Sequence, residues 1–211
     1  VYSVAFDGTD VGGNAASTLT STSVTYDGAS PVFTNVSPVT SATINHASVG
    51  YTLSETLGSG SVTFTRVAGS ADGASPHVVS LVGAELNTGS FNGSLTNAPT
   101  LVDGTVYSVS FDGTDVSGNF AIPLVSNAVT YDVTAPVFSS VSPVTATTVN
   151  NANVGYTLSE TILSGTVTFT HTSGGVDEFS PHVVNLSGAE LNSGVFDGSL
   201  NNAPVSYTHL R

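Results

Sequence analysis

Val106-Tyr-Ser-Val-Ser-Phe-Asp-Gly-Thr-Asp115 repeats the opening of the chain, Val1-Tyr-Ser-Val-Ala-Phe-Asp-Gly-Thr-Asp10, at an offset of 105 residues. The offset holds without a gap. Tyr51-Thr-Leu-Ser-Glu-Thr56 returns at Tyr156–Thr161, Ser75-Pro-His-Val-Val79 at Ser180–Val184, and Gly83-Ala-Glu-Leu-Asn87 at Gly188–Asn192. Of the 99 pairs from Val1/Val106 to Pro99/Pro204, 65 are identical, which excludes chance similarity. A period of this length is too long for a solenoid unit and matches the ~100 residues of one β-sandwich domain.

The linker Tyr131-Asp-Val-Thr-Ala-Pro136 and its counterpart Tyr26-Asp-Gly-Ala-Ser-Pro31 mark the boundaries. Proline ends the preceding strand and biases the residue before it toward extended backbone. One complete repeat is therefore expected over residues 30–134. Residues 1–29 read as the last two strands of a preceding repeat, and 135–204 as the first strands of a following one. The chain opens inside a strand-like pattern and carries no signal-peptide pattern, so it reads as a fragment. Residues 205–211, Val-Ser-Tyr-Thr-His-Leu-Arg, share no paired position with Thr100–Val106. They read as a foreign tail, of the kind a translated sequencing adaptor leaves in an assembled metagenomic gene. His209 and Arg211 accordingly carry no functional argument.

Composition agrees with strands joined by turns. Hydrophobic residues make up 39% of the 211 and charged residues 8%. Ser, Thr, Val, Gly and Asn dominate, which suits pleated strands and tight turns rather than long helices. The absence of Cys removes disulfides and thiolate metal sites from consideration. A net charge of −13 with two basic residues, Arg66 and Arg211, leaves no footprint for nucleic acid or anionic membranes. Such a surface repels itself and attracts cations. No run reaches the ~20 apolar residues a membrane helix needs.

Turn signals cut the complete repeat into about seven short alternating segments. They lie around Phe33, Val49–Leu53, Ser61–Thr65, His77–Leu81, Gly89–Leu95, Val106–Phe111 and Ala128–Tyr131. An antiparallel sandwich is expected, with Phe33, Tyr51, Leu53, Phe64, Val79, Leu81, Leu95 and Tyr107 in its core. Leu101-Val-Asp-Gly-Thr-Val-Tyr107, leading into Asp112-Gly-Thr-Asp-Val-Ser-Gly-Asn119, resembles the E–F and F–G region of fibronectin type III domains and bacterial immunoglobulin-like repeats. The Ala-Pro-Val-Phe start and the Asp-x-x-Gly-Asn ending are similar to repeats of large bacterial surface adhesins. The resemblance implies an all-β fold of tandem immunoglobulin-like sandwiches of about 105 residues, on an extracellular protein. It also implies that the Tyr107 hydroxyl ties back to nearby backbone, as in a tyrosine corner.

Two acidic elements recur: Ser54-Glu55-Thr56 (Ser159-Glu160-Thr161), and Asp112 with Asp115 and Asn119 (Asp7, Asp10 and Asn14). In an immunoglobulin-like topology the B–C and F–G loops share the end where the preceding linker enters. The resemblance thus gathers Glu55, Asp112, Asp115, Asn119 and Asp27 at one junction, with Asp132 and Glu160 their counterparts at the next. Clustered carboxylates without basic partners are costly unless a cation neutralises them. Hard oxygen donors in a flexible loop suit Ca²⁺, and adhesin repeats of this kind hold calcium at interdomain junctions. The competing explanation is turn formation, since Asp-Gly is the strongest hairpin dipeptide. Asp112, beside Gly113, is the more turn-like of the two aspartates. An EF-hand is rejected, because its sixth and twelfth positions counted from Asp112 are Ser117 and Pro123.

His77 and His182 recur singly and read as strand side chains, while His46 and His171 are not repeated and read as surface variation. Glu85 and Glu190 read as turn-shaping residues. No nucleophile elbow, dinucleotide fingerprint or P-loop occurs. No enzyme is expected.

The leading expectation is a spacer or stalk segment of a large extracellular adhesin, stiffened by calcium and partnered by neighbouring repeats. The alternative is a module whose loops bind carbohydrate or protein; against it, the chain has no Trp and most of its aromatic residues fall on strands. Residues 1–29 supply the two strands that 135–204 lack, so strand complementation between the ends of different molecules is a further expectation, with a side-by-side pairing of the two ends within one chain as the alternative. Residues 30–134 expressed alone are expected to give a strand-dominated circular-dichroism spectrum and one cooperative melt. A helical spectrum or no melt would refute the boundaries.

Overall fold

The computed structural model describes residues 1–203, and the chain divides into two compact units, Val1–Val133 and the residues from Thr134 onward. The proposed foreign tail, 205–211, lies outside the described residues. In the first unit the strands are β1 (Tyr2–Phe6), β2 (Leu19–Val24), β3 (Phe33–Ser37), β4 (Thr43–Ile44), β5 (Val49–Leu53), β6 (Leu57–Gly69), β7 (His77–Ser80), β8 (Gly89–Gly93), β9 (Thr105–Asp115) and β10 (Leu124–Tyr131). The second unit holds β11 (Phe138–Ser142), β12 (Val154–Leu158), β13 (Thr166–Phe169), β14 (His182–Asn185) and β15 (Gly194–Gly198). The helical elements among the described residues are two single 3₁₀ turns, Gly83–Leu86 and Gly188–Leu191. No helix there is long and apolar enough to cross a membrane.

From Phe33 to Tyr131 two sheets face each other, ordered β3-β5-β8 and β4-β10-β9-β6-β7. Phe33, Tyr51 and Leu53 of the first sheet and Val62, Phe64, Val109, Phe111 and Val129 of the second share one buried core. This is the packing of a β-sandwich. All eight core residues expected from the sequence are buried. Eight strands stand where seven were expected. The additional strand, β4, pairs parallel to the end of β10 through Thr43–Thr130 and Ile44–Tyr131.

β9 explains the order. Its burial alternates along the whole strand, with Thr105, Tyr107, Val109, Phe111, Gly113 and Asp115 pointing inward. Period-2 side-chain alternation makes this one continuous inward face. One edge pairs with β6 from Gly69 to Leu57 and the other with β10. Asp112-Gly113, read from the sequence as a turn, instead continues β9. A Cβ at Gly113 would lie 2.7 Å from Leu57 Cδ1, so this glycine lets β6 pack closely rather than turning the chain. Gly69 is the conformational case: its φ is +74°, and a Cβ would meet the Gly104 carbonyl at 2.2 Å.

Two polar networks hold the ends of the core. Glu85 is buried, yet its carboxylate accepts Val82 N (2.7 Å), Thr96 N (2.6 Å) and Thr96 Oγ1 (2.8 Å). Its own carbonyl accepts the Tyr51 hydroxyl at 2.6 Å. Burial pushes the Glu85 carboxyl up, but these hydrogen bonds outweigh it and hold the group below its ordinary value. Glu190 repeats the device with Ser187 N, Asn201 N and Tyr156. The sequence reading of Glu85 as a turn former is incomplete: it shapes the 3₁₀ turn and also anchors that turn to Thr96.

At the opposite end the Tyr107 hydroxyl accepts Val102 N (3.0 Å), the backbone tie expected from the sequence, and donates to Asp72 Oδ2 (2.7 Å). His77 Nε2 lies 2.7 Å from the same oxygen. The Tyr107 and His77 contacts draw the Asp72 carboxyl down to about 2, against the opposing effect of burial.

Glu85→Gln sets an amide N–H₂ against the donors of Val82 and Thr96, and is expected to cost about 1–3 kcal/mol in denaturant unfolding. A loss below 0.5 kcal/mol, roughly that of an ordinary surface substitution, would show that the network is dispensable. Asp72 titrates lower folded than unfolded, so its stabilisation is complete above its unfolded value of ~3.9 and disappears as pH falls through about 2. Melting temperature should therefore fall more steeply between pH 4 and pH 2 in the wild type than in Asp72→Asn, roughly the span of the two values.

Candidate functional site: a carboxylate cluster at the Asp27 linker

The loop after β9 is organised by Asp115. Its Oδ1 accepts Ser117 N and Asn119 N, both at 2.8 Å, and Oδ2 accepts Asn119 Nδ2 at 2.9 Å. Asp115 N closes the turn on the Asn119 carbonyl at 3.0 Å. The same loop forms earlier in the chain, where Asp10 accepts Gly12 N, Asn14 N and Asn14 Nδ2. In both aspartates the side-chain hydrogen bond from the asparagine leads the causes that lower the carboxyl's pKa. Turn chemistry thus accounts for Asp115 and Asn119 as a local pair.

It does not account for their neighbours. The Asn119 side chain also donates to the Asp27 carbonyl at 3.2 Å, and Ser117 Oγ donates to Asp27 Oδ2 at 3.3 Å. The linker is thereby held against the loop. Glu55, in the short connection between β5 and β6, completes the group: one carboxylate oxygen each from Asp27, Glu55 and Asp115 lie within 4.8 Å of one another. Asp115 is buried, and the other two are partly exposed. Burial first, then the charges of Asp27 and Asp115, push the Glu55 carboxyl above its ordinary value. No basic side chain among the described residues pairs with the three. Arg66 donates instead to the carbonyls of Ser70 and Gly69.

Of the residues expected at this junction, Asp27, Glu55, Asp115 and Asn119 come together and Asp112 does not. Asp112 faces outward, where its Oδ1 accepts the adjacent Gly113 N at 2.7 Å. Three positions apart on one strand, Asp112 and Asp115 must point to opposite faces. Asp132 belongs to the first unit, where its N–H donates to the Ile44 carbonyl at 2.9 Å. Glu160 belongs to the second unit, and its Oε1 is buried without a hydrogen-bond partner among the described residues.

Sequence reasoning missed two residues. Ser117 carries only a backbone and a hydroxyl donor and left no pattern, since its counterpart is Gly12. Asp72 did leave one: it recurs as Asp177, five positions before the repeated histidine. Asp177 Oδ2 again lies 2.8 Å from His182 Nε2. Comparison with family models, curated proteins and solved structures finds no match to the chain.

Proposed function

We propose that the chain is a stretch of tandem immunoglobulin-like, fibronectin type III-like repeats that act as a spacer in a large extracellular bacterial adhesin, and that calcium stiffens the junction at Asp27. The observation that carries this reading is the attachment of the entering linker to the sandwich through Asn119 and Ser117, beside three converging carboxylates. A spacer transmits direction from one repeat to the next, which requires the connecting backbone to be fixed on the domain it enters. The leaving linker is tied as well, with Val133 N donating to Asp103 Oδ1 at 2.8 Å.

The donor set fits calcium rather than a transition metal. Asp27, Glu55 and Asp115 offer hard oxygens in irregular loops, with no His or Cys in the group. A bound divalent cation would replace the mutual repulsion of the three carboxylates with attraction and relieve the upward pressure on Glu55. Hydrogen bonds already occupy much of Asp115, so its role would combine loop scaffold with ligand.

Calcium binds the folded state by this reading, so it should raise the melting temperature, by about 2.7 kcal/mol of added stability at a hundredfold excess over the dissociation constant. Magnesium, which demands stricter octahedral geometry, should do less. Glu55→Gln should abolish the calcium effect while leaving the calcium-free melt unchanged or slightly higher. If calcium leaves both the melt and small-angle scattering unchanged, the carboxylates serve the turn alone.

A further inference from the structure

The eighth strand of the sandwich, β4, is two residues long and pairs parallel, whereas every other strand pair among the described residues is antiparallel. It is the end of a longer attachment. Along the edge of β10 that faces away from β9, Ser41 N donates to the Asn127 carbonyl at 2.8 Å. Thr130 N donates to the Ala42 carbonyl and Asp132 N to the Ile44 carbonyl, both at 2.9 Å. Asn127 N adds a bond to Thr40 Oγ1 at 3.2 Å. Ser41 lies in the left-handed region, at φ +64°, which is unfavourable for a residue with a Cβ, and Ala146 repeats it at +62°. This kink falls where the chain leaves β3, in one sheet, for the edge of the other.

Chain direction decides what the attachment joins. β3 starts at the entering linker, where Phe33 lies opposite Leu53, and the connection after Leu53 leads to Leu57 opposite Asp115. β10 ends at the leaving linker, where Tyr131 lies opposite Thr105, at the other end of β9 from Asp115. β3, the segment 40–44 and β10 therefore all run from the entering end to the leaving end. A pull between Asp27 and Val133 draws β3 and 40–44 one way along their axis and β10 the other. The four bonds lie across that axis, so they share the load and must break together. Bonds peeled from one end would open one at a time.

We infer that the segment 40–44 and β10 form a mechanical clasp, in which tension between the two linkers is carried in shear by this parallel attachment before the core opens. Its use rests on the spacer reading, since only a chain pulled between its ends loads it. Its strength is a property of the sandwich alone. None of the four bonds involves Asp27, Glu55 or Asp115, so a chelator should leave the clasp intact.

The chain has no native cysteine, so a pair of introduced ones sets the points of pull. Handles on Ala29→Cys and Ala135→Cys of the full chain, both exposed positions, load only the complete repeat along its strands. In single-molecule force spectroscopy its unfolding is recognised by the release of about 105 residues, roughly 350 Å at ~3.3–3.6 Å per residue. Handles on Ala71→Cys and Ala135→Cys pull instead from the β6–β7 turn, at the end where β10 finishes, and peel β10 from β9 bond by bond. Forced unfolding reports the unfolding barrier, and at equal loading rate the first pair should need at least about twice the force of the second. Thr130→Pro removes the N–H given to Ala42 and should lower the force for the first pair by about a third or more. Val79→Ala leaves a cavity at β7, off the path of the load, and should lower the denaturant midpoint while keeping the force. Equal forces in the two directions, a folded Thr130→Pro repeat at full force, a Val79→Ala loss as large as that of Thr130→Pro, or a force that collapses in chelator would each overturn the inference. If Thr130→Pro does not fold, the comparison of the two directions decides. A calcium-independent melt with the directional difference intact would sink the calcium reading and leave the clasp standing.

Discussion

The structure depends on β9 having a strand on each side and a core beneath it. Eleven residues, Thr105–Asp115, run between β6 and β10 with every odd position turned inward. Each of Tyr107, Val109 and Phe111 loses essentially all contact with water, worth roughly 1.5–3 kcal/mol for a large apolar side chain. The same alternation carries Asp115 to the inner face at the end of the strand. A carboxylate delivered there must find donors, and Asn119 and Ser117 provide them. The acidic junction is therefore a consequence of the core strand continuing past its apolar section.

Glu85 and Glu55 show two outcomes for carboxylates near a sandwich end. Both are pushed up by burial, yet three hydrogen-bond donors around Glu85 reverse the effect, while Glu55 meets the charges of Asp27 and Asp115 and stays high. A buried acid with matched donors needs nothing further and serves as a structural anchor. An acid among acids is stabilised only by protonation or by an added cation. That contrast, rather than the number of acidic residues, separates the junction from the anchor.

The paired copies of one sequence in this chain also isolate what neighbours contribute. Asp7-Gly8 follows β1 outside any strand, whereas Asp112-Gly113 continues β9, because β6 lies alongside the second and not the first. Phe33 and Phe138 likewise differ in exposure through what covers them, not through their own strands. Local sequence sets the same register in the β1–β2 and β9–β10 hairpins. Only burial distinguishes a finished sandwich from an exposed face.

The sequence by itself determined the all-β character, the 105-residue spacing, the core positions from Phe33 to Tyr107 and the backbone tie of Tyr107. The first three follow from alternation, turn residues or self-similarity, which are written locally; the Tyr107 tie is what the resemblance to fibronectin type III domains implied. Through the same resemblance it also pointed to Asp27, Glu55, Asp112, Asp115 and Asn119 as neighbours, of which Asp112 faces away. The opposite faces of Asp112 and Asp115 were implicit in their odd spacing, but seeing this required knowing that the strand runs through Gly113. Tertiary structure decided that, because Leu57 of β6 occupies the space above the glycine. It alone also placed Ser117 on the linker and Thr96 on Glu85, and joined Asp72 to Tyr107 across 35 residues. Such contacts depend on how two sheets close over one another, and no local pattern encodes that closure.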